Sequence, residues 1–172
     1  MYNCYPDWMK VKQCRRVETV DLNKSSNGFL VDILNRNDSI FASRRDEKFE
    51  QIYYSTVFRG RFKGLHIHPS KVDTIHCVFG SALFVIYPHI VEKENLGEPI
   101  LLNDLIVVPF NDVSDCLTIS FPSKYPHGYY GVSDIAYILN YRNPAWNPQD
   151  TLQYDLKVDG IENYLEARIA EQ

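Results

Sequence analysis

Apolar and polar residues alternate over short runs through much of this chain. In "DTIHCVF", Asp73, Ile75, Cys77 and Phe79 fall on one face of an extended segment, and Thr74, His76 and Val78 fall on the other. That is the pattern of a strand buried on one side. The runs "STVFRGRFKGLHIH", "DTIHCVFGSALFVIYP", "EPILLNDLIVVPF", "CLTISFP" and "IAYILNYR" are rich in Val, Ile, Phe and Tyr and are separated by Gly, Pro, Asn and Asp. Such punctuation predicts an all-β sandwich or barrel. Only the last residues change period. In "GIENYLEARIAEQ" the stripe Ile161, Tyr164, Leu165 and Ile169 has helical spacing and predicts one C-terminal helix packed on the outside of the barrel. "NKSSNG" (23–28) and "RNPAWNPQD" (142–150) read as loops. With no internal repeat and no linker, residues 1–172 are expected to form a single domain, a length at which one core hides roughly 70% of the unfolded surface.

Charge narrows the choice of partner. The net charge is -4, with acidic and basic residues mixed along the chain, which argues against a nucleic-acid footprint or a polybasic membrane contact. The expected partner is a small molecule or another protein chain. No apolar run approaches the roughly 18 residues of a membrane span, and "MYNCYPDWMKVKQCRR" lacks a signal peptide's basic start and apolar stretch, so the expected location is cytoplasmic. Cys4, Cys14, Cys77 and Cys116 show no CxxC spacing and read as reduced thiols, with Cys77 a small buried apolar residue.

Candidate chemistry concentrates in "GRFKGLHIHPSKVDTIHCVFG", residues 60–80, which holds three of the five histidines. His66 and His68 share a strand face, and after the turn "PSK" the chain returns through Asp73, expected on the same inner face. His76 falls on the opposite face and His89 follows Pro88 in a loop. The order Gly60, His66-x-His68, Asp73, Gly80 resembles the first motif of the cupins, with Asp where that family usually has Glu. "PSKYPHGYYG" resembles the second motif: Pro122 and His127 keep their spacing, Lys124 stands where a glycine is common and Gly131 where an asparagine is common. The resemblance implies a cupin, or jelly-roll, β-barrel.

Residues from about 50 to 155 further resemble the dTDP-4-dehydrorhamnose 3,5-epimerases. "KGLHIH" is similar to that family's "RGLH" segment, and "HCVFGSALFVI" to its next strand and turn. "FPSKYPHGYYGVSDIAYILNY" is the most specific match, keeping the Pro, the His-Gly, the aromatic residues and the Ser-Asp turn in order. Epimerisation beside a ketone needs a base, a proton donor and a hydrogen-bonding or positive group for the enolate oxygen, and no metal. The resemblance implies His66 as the base, Lys63 in place of an arginine near the nucleotide or sugar, His127 in the pocket wall, and Trp146 stacked on the nucleotide base. The chain departs from the pattern at two places. The family's enolate-stabilising lysine aligns with Asp73 and its proton-donating tyrosine with Asn140, with Tyr141 next to it facing outward. The resemblance implies a carboxylate from the C-terminal segment that supports the base, where Asp155 or Asp159 is available.

Two expectations follow. In one, the chain is a cofactor-free epimerase or isomerase of a nucleotide-linked 4-keto hexose in deoxysugar or surface-polysaccharide synthesis. In the other, His66, His68, Asp73 and His127 bind a divalent metal (Zn, Fe, Mn or Ni) in a metal-dependent cupin; a binding module without catalysis is the remaining alternative. The family resemblance and the strand-rich N-terminal third imply a homodimer, in which an N-terminal strand pairs with the partner's sheet.

Overall fold

Strand β11 (Ile135–Asn143) shows how the alternating sequence becomes structure: Ala136, Ile138, Asn140 and Arg142 are buried, while the residues between them are half-buried. The computed structural model describes residues 5–20, 23–35, 37–41, 50–92, 97–143, 154–156 and 158–170, with the backbone alone at 154 and 155. The other strands among these are β1 (Lys10–Gln13), β2 (Arg16–Val20), β3 (Ser26–Val31), β4 (Gln51–Phe58), β5 (Phe62–Ile67), β6 (Val72–Phe79), β7 (Ser81–Ile86), β8 (Ile106–Asn111), β9 (Leu117–Phe121), β10 (His127–Gly131) and β12 (Tyr154–Asp155), and the α-helix is α1 (Ile161–Ala170).

Two antiparallel five-stranded sheets result, one in the order β1-β9-β6-β11-β4 and the other β12-β5-β10-β7-β8. Sequence neighbours often lie in different sheets, as β5 and β6 do, which is the jelly-roll crossing pattern. Inward residues of both sheets, among them Val57, Ile75, Cys77, Phe84, Phe110, Ile119, Phe121 and Ile138, form the core between them. Helix α1 covers the outer face of the second sheet, where Ile161 and Leu165 pack with Leu65, Leu83, Val85 and Tyr130. The expected jelly roll and outer helix are therefore both present.

The loop expected at 23–28 is shorter than the sequence suggested. Ser26 and Gly28 belong to β3 and pair with Val20 and Thr19 of β2, because Gly28 takes a φ of 142° that continues the hairpin. Likewise Arg142 and Asn143 extend β11 instead of opening a loop. The β2–β3 hairpin stands as its own two-stranded sheet. No described helix is long and apolar enough to cross a membrane.

Candidate functional site

The crossing from β5 to β6 brings the histidines and the aspartate together. His66 and His68 lie at the end of β5 in the second sheet, and Asp73 begins the inward face of β6 in the first, with Pro69, Ser70 and Lys71 turning between them. Strand β10 adds His127, directly opposite His66 in register. This close pairing depends on two glycines. A Cβ on Gly64 would lie 2.7 Å from the Gly128 Cα and the His127 carbonyl oxygen, and one on Gly128 would lie 2.6 Å from the Lys63 carbonyl oxygen. The His127 ring sits 5.1 Å from that of His68 and 6.4 Å from that of His66, centroid to centroid. Phe121 and Phe84 wall it on the core side, at 4.6 and 6.4 Å.

The hydrogen bonds assign the tautomers. His127 Nδ1 lies 2.9 Å from the Tyr125 carbonyl oxygen, so Nδ1 carries the hydrogen and Nε2 keeps its lone pair. At His68 the partner is Arg142, whose Nη2 lies 2.7 Å from Nε2. A guanidinium only donates, so Nε2 of His68 is the acceptor and its hydrogen is on Nδ1. The Arg142 Nε donates at 2.9 Å to Asp73 Oδ1, forming an ion pair between side chains only 6% and 1% exposed. Burial, helped by the neighbouring positive and imidazole groups and opposed by Asp73, pushes His68 down to about 3. Burial likewise lowers His127 to about 4. Both rings are therefore neutral at pH 7.

Arg142 and Tyr53 are the site residues that the sequence reading missed. Arg142 belongs to the buried register of β11, two residues beyond Asn140 and paired with Asp73 on β6. Tyr53 of β4 lies opposite Asn140 in register, and its ring centroid is 5.3 Å from the Arg142 guanidinium carbon. Desolvation raises its hydroxyl to about 12 despite Arg142. Each had a signal, an ionisable or phenolic side chain on the inward register of an alternating strand. Two buried oxygens in this region have no hydrogen-bond partner, Asp73 Oδ2 and Asn140 Oδ1.

The remaining expectations divide. Lys63 is exposed on β5, opposite Tyr129. Asp155 on β12 is in register with His66. Asp159 is exposed and lines a separate cavity of about 540 Å³ with Phe62, Gly64 and Glu162. Trp146 lies outside the described residues. His76 faces away from this site, as expected, its Nδ1 within 2.9 Å of the Leu117 carbonyl oxygen.

For a metal, His68, Asp73 and His127 offer donor atoms that all lie within 4.8 Å of one another, and His66 is not among this group. As arranged, they do not fit one. One carboxylate oxygen, Asp73 Oδ1, and His68 Nε2 both point at the Arg142 guanidinium, whose charge repels a second cation from the remaining oxygen, Asp73 Oδ2.

No protein-family model matches this sequence, and no curated protein matches it. Solved structures do match its fold. A 4-keto-6-deoxy sugar epimerase (NovW) from Streptomyces spheroides superposes with a TM-score of 0.66 at 16% identity, over 96% of this chain and 87% of that one. A dTDP-6-deoxy-D-glucose-3,5-epimerase from Legionella pneumophila, in complex with dTDP-4-keto-L-rhamnose, gives 0.66 at 15% identity over 91% and 77%. A 3,4-ketoisomerase from Thermoanaerobacterium thermosaccharolyticum gives 0.56 at 12% identity over 85% and 87%. The chain thus shares the jelly roll of these sugar-nucleotide epimerases and isomerases.

Proposed function

We propose that this protein is an epimerase or isomerase of a nucleotide-linked 4-keto hexose, with His66 as the base that removes a proton beside the ketone. The observation that carries this reading is the pairing of half-buried His66 with a desolvated, neutral and hydrogen-bonded polar group, in a fold shared with enzymes of that chemistry. His66 is the imidazole of the three that retains partial exposure, where a substrate can reach it; His68 and His127 are 5% and 3% exposed.

Each remaining role follows from chemistry. Removal of the proton leaves an enolate, whose oxygen must be met by donors already in place. His68 offers Nδ1–H for this, because Arg142 already occupies its Nε2. Reprotonation needs an acid that stays protonated until it is used, and Tyr53, raised to about 12, meets that requirement beside Asn140. Lys63 and Trp146 serve the nucleotide end, in a cytoplasmic pathway of deoxysugar or surface-polysaccharide synthesis. The chemistry asks for no resident cofactor.

The test is exchange of substrate hydrogen with deuterated solvent, using dTDP-4-keto-6-deoxyglucose as the probe. Wild type is expected to exchange, and His66→Asn to lose roughly 10²–10⁴-fold in rate, the usual contribution of a positioned base. Tyr53→Phe should keep abstraction while net isomerisation falls, since only the returning proton is lost. No exchange by wild type on this or related nucleotide-linked 4-keto sugars, or full exchange by His66→Asn, overturns the proposal.

A further inference from the structure

A ring of two imidazoles and a carboxylate at the end of a jelly roll has the donor set of a divalent-cation site, yet in this protein an arginine from the neighbouring strand is seated among the donors. The details are specific. Arg142 enters from β11 at the position paired with Asp73, and it does not form the two-pronged contact with the carboxylate that a guanidinium favours. Nε goes to Asp73 Oδ1 and Nη2 goes to His68 Nε2, leaving Asp73 Oδ2 without a hydrogen bond and 3.7 Å from His68 Nε2. The side chain therefore bridges two would-be ligands instead of saturating one. His127 completes the group, with its free Nε2 lone pair set by the Tyr125 carbonyl.

We propose that Arg142 is the built-in cation of this site: its guanidinium occupies the place of a divalent metal among His68, Asp73 and His127, and holds His68 in the tautomer whose hydrogen is on Nδ1. A guanidinium keeps its charge at every physiological pH and cannot be removed by a chelator. It fixes the direction of two donors, a geometric task that an ammonium on a flexible stem performs less well. Arg142 acts here as a positioning residue, through His68 and Asp73. The assignment holds whatever the substrate.

Two measurements test it, neither of which needs turnover. The first uses wild-type protein, with long-range proton–nitrogen correlation of the histidine rings at pH 7 and His68 assigned by comparison with His68→Gln. The expected result is an Nδ1–H ring at His68 with an acceptor-type Nε2. A ring hydrogen on Nε2, or a doubly protonated ring, overturns the proposal. The second titrates Co(II), read by visible d–d absorption and by melting temperature. Wild type is expected to show neither bands nor a shift. Arg142→Ala should gain both at one ion per chain, and should lose them again when Asp73→Asn is added. Arg142→Lys, which restores a cation, should bind none. Bands in wild type that disappear with Asp73→Asn, or a folded Arg142→Ala that takes up no Co(II), overturn the proposal. If Arg142→Ala fails to fold, Arg142→Met fills its volume and takes the same test, and the nitrogen spectrum of wild type decides independently.

Discussion

His68 and His127 are held neutral chiefly by burial, and neutrality has a direction in pH. Their folded values, about 3 and about 4, lie below the ordinary histidine value of 6.5. Below pH 6.5 the unfolded chain therefore binds protons that the folded chain refuses. Stability from these rings is fully present above that pH and is lost as pH falls toward 4, at up to about 1.4 kcal/mol per pH unit for each ring. The urea midpoint should fall between pH 7 and pH 5, and His68→Gln should remove part of that slope; a midpoint flat across the window, in wild type, contradicts the assignment. At this scale the sequence was informative where chemistry is local. His66, His68 and Asp73 lie within eight residues, and a strand's period of two with one turn suffices to bring them near each other. Arg142 and Tyr53 reach the site through lateral strand pairing, β11 to β6 and β4 to β11, and no spacing along the chain encodes which strands become neighbours.

Strand by strand, alternation identified the inward faces, because a strand with one face in a core must alternate. It could not show that β2 and β3 would stand apart from both sheets, since their faces are exposed and carry no such pattern. The element most closely tied to the site is the β5–β10 pair. Gly64, at φ 143°, and Gly128 let these two backbones approach so closely that no side-chain carbon fits between them. The nearest neighbours that a Cβ would strike, the Gly128 Cα and His127 carbonyl oxygen for Gly64 and the Lys63 carbonyl oxygen for Gly128, are backbone atoms, which cannot rotate aside. Gly64→Ala and Gly128→Ala should each cost about 2 kcal/mol or more, seen as a fall of roughly 4–8 °C in melting temperature. Gly97→Ala is the control, because a Cβ there meets nothing within 4 Å. Equal melting of all three variants would show that the close approach is not required.

For the whole molecule, the expected homodimer remains a proposal with a specific place to look. The β2–β3 hairpin exposes Val17, Val20, Phe29 and Leu30, each at least half accessible, and a lone two-stranded ribbon is marginally stable in water. Strand β4 ends its sheet with Ile52, Tyr54 and Phe58 exposed. We expect a second copy to cover the hairpin. Light scattering should then give about 40 kDa, twice the 20.0 kDa chain, and Phe29→Asp with Leu30→Asp should give the monomer. A wild-type monomer at tens of micromolar would end the idea. The pairing of Arg142 with Asp73 also fixes where such a molecule can meet an anion. Within the group Arg142, Asp73, His68 and His127, one positive charge meets one negative charge beside two neutral imidazoles, so these four side chains together offer a diphosphate no net attraction. Under the proposed function, a nucleotide-linked sugar is then expected to divide its contacts, the uncharged sugar beside this group and the phosphates at the solvent-exposed rim where Lys63 lies. Dissolved ions screen the rim and scarcely reach the interior. Raising ionic strength should therefore raise KM and leave kcat unchanged, and a kcat that falls in step with KM's rise would place the phosphates inside instead.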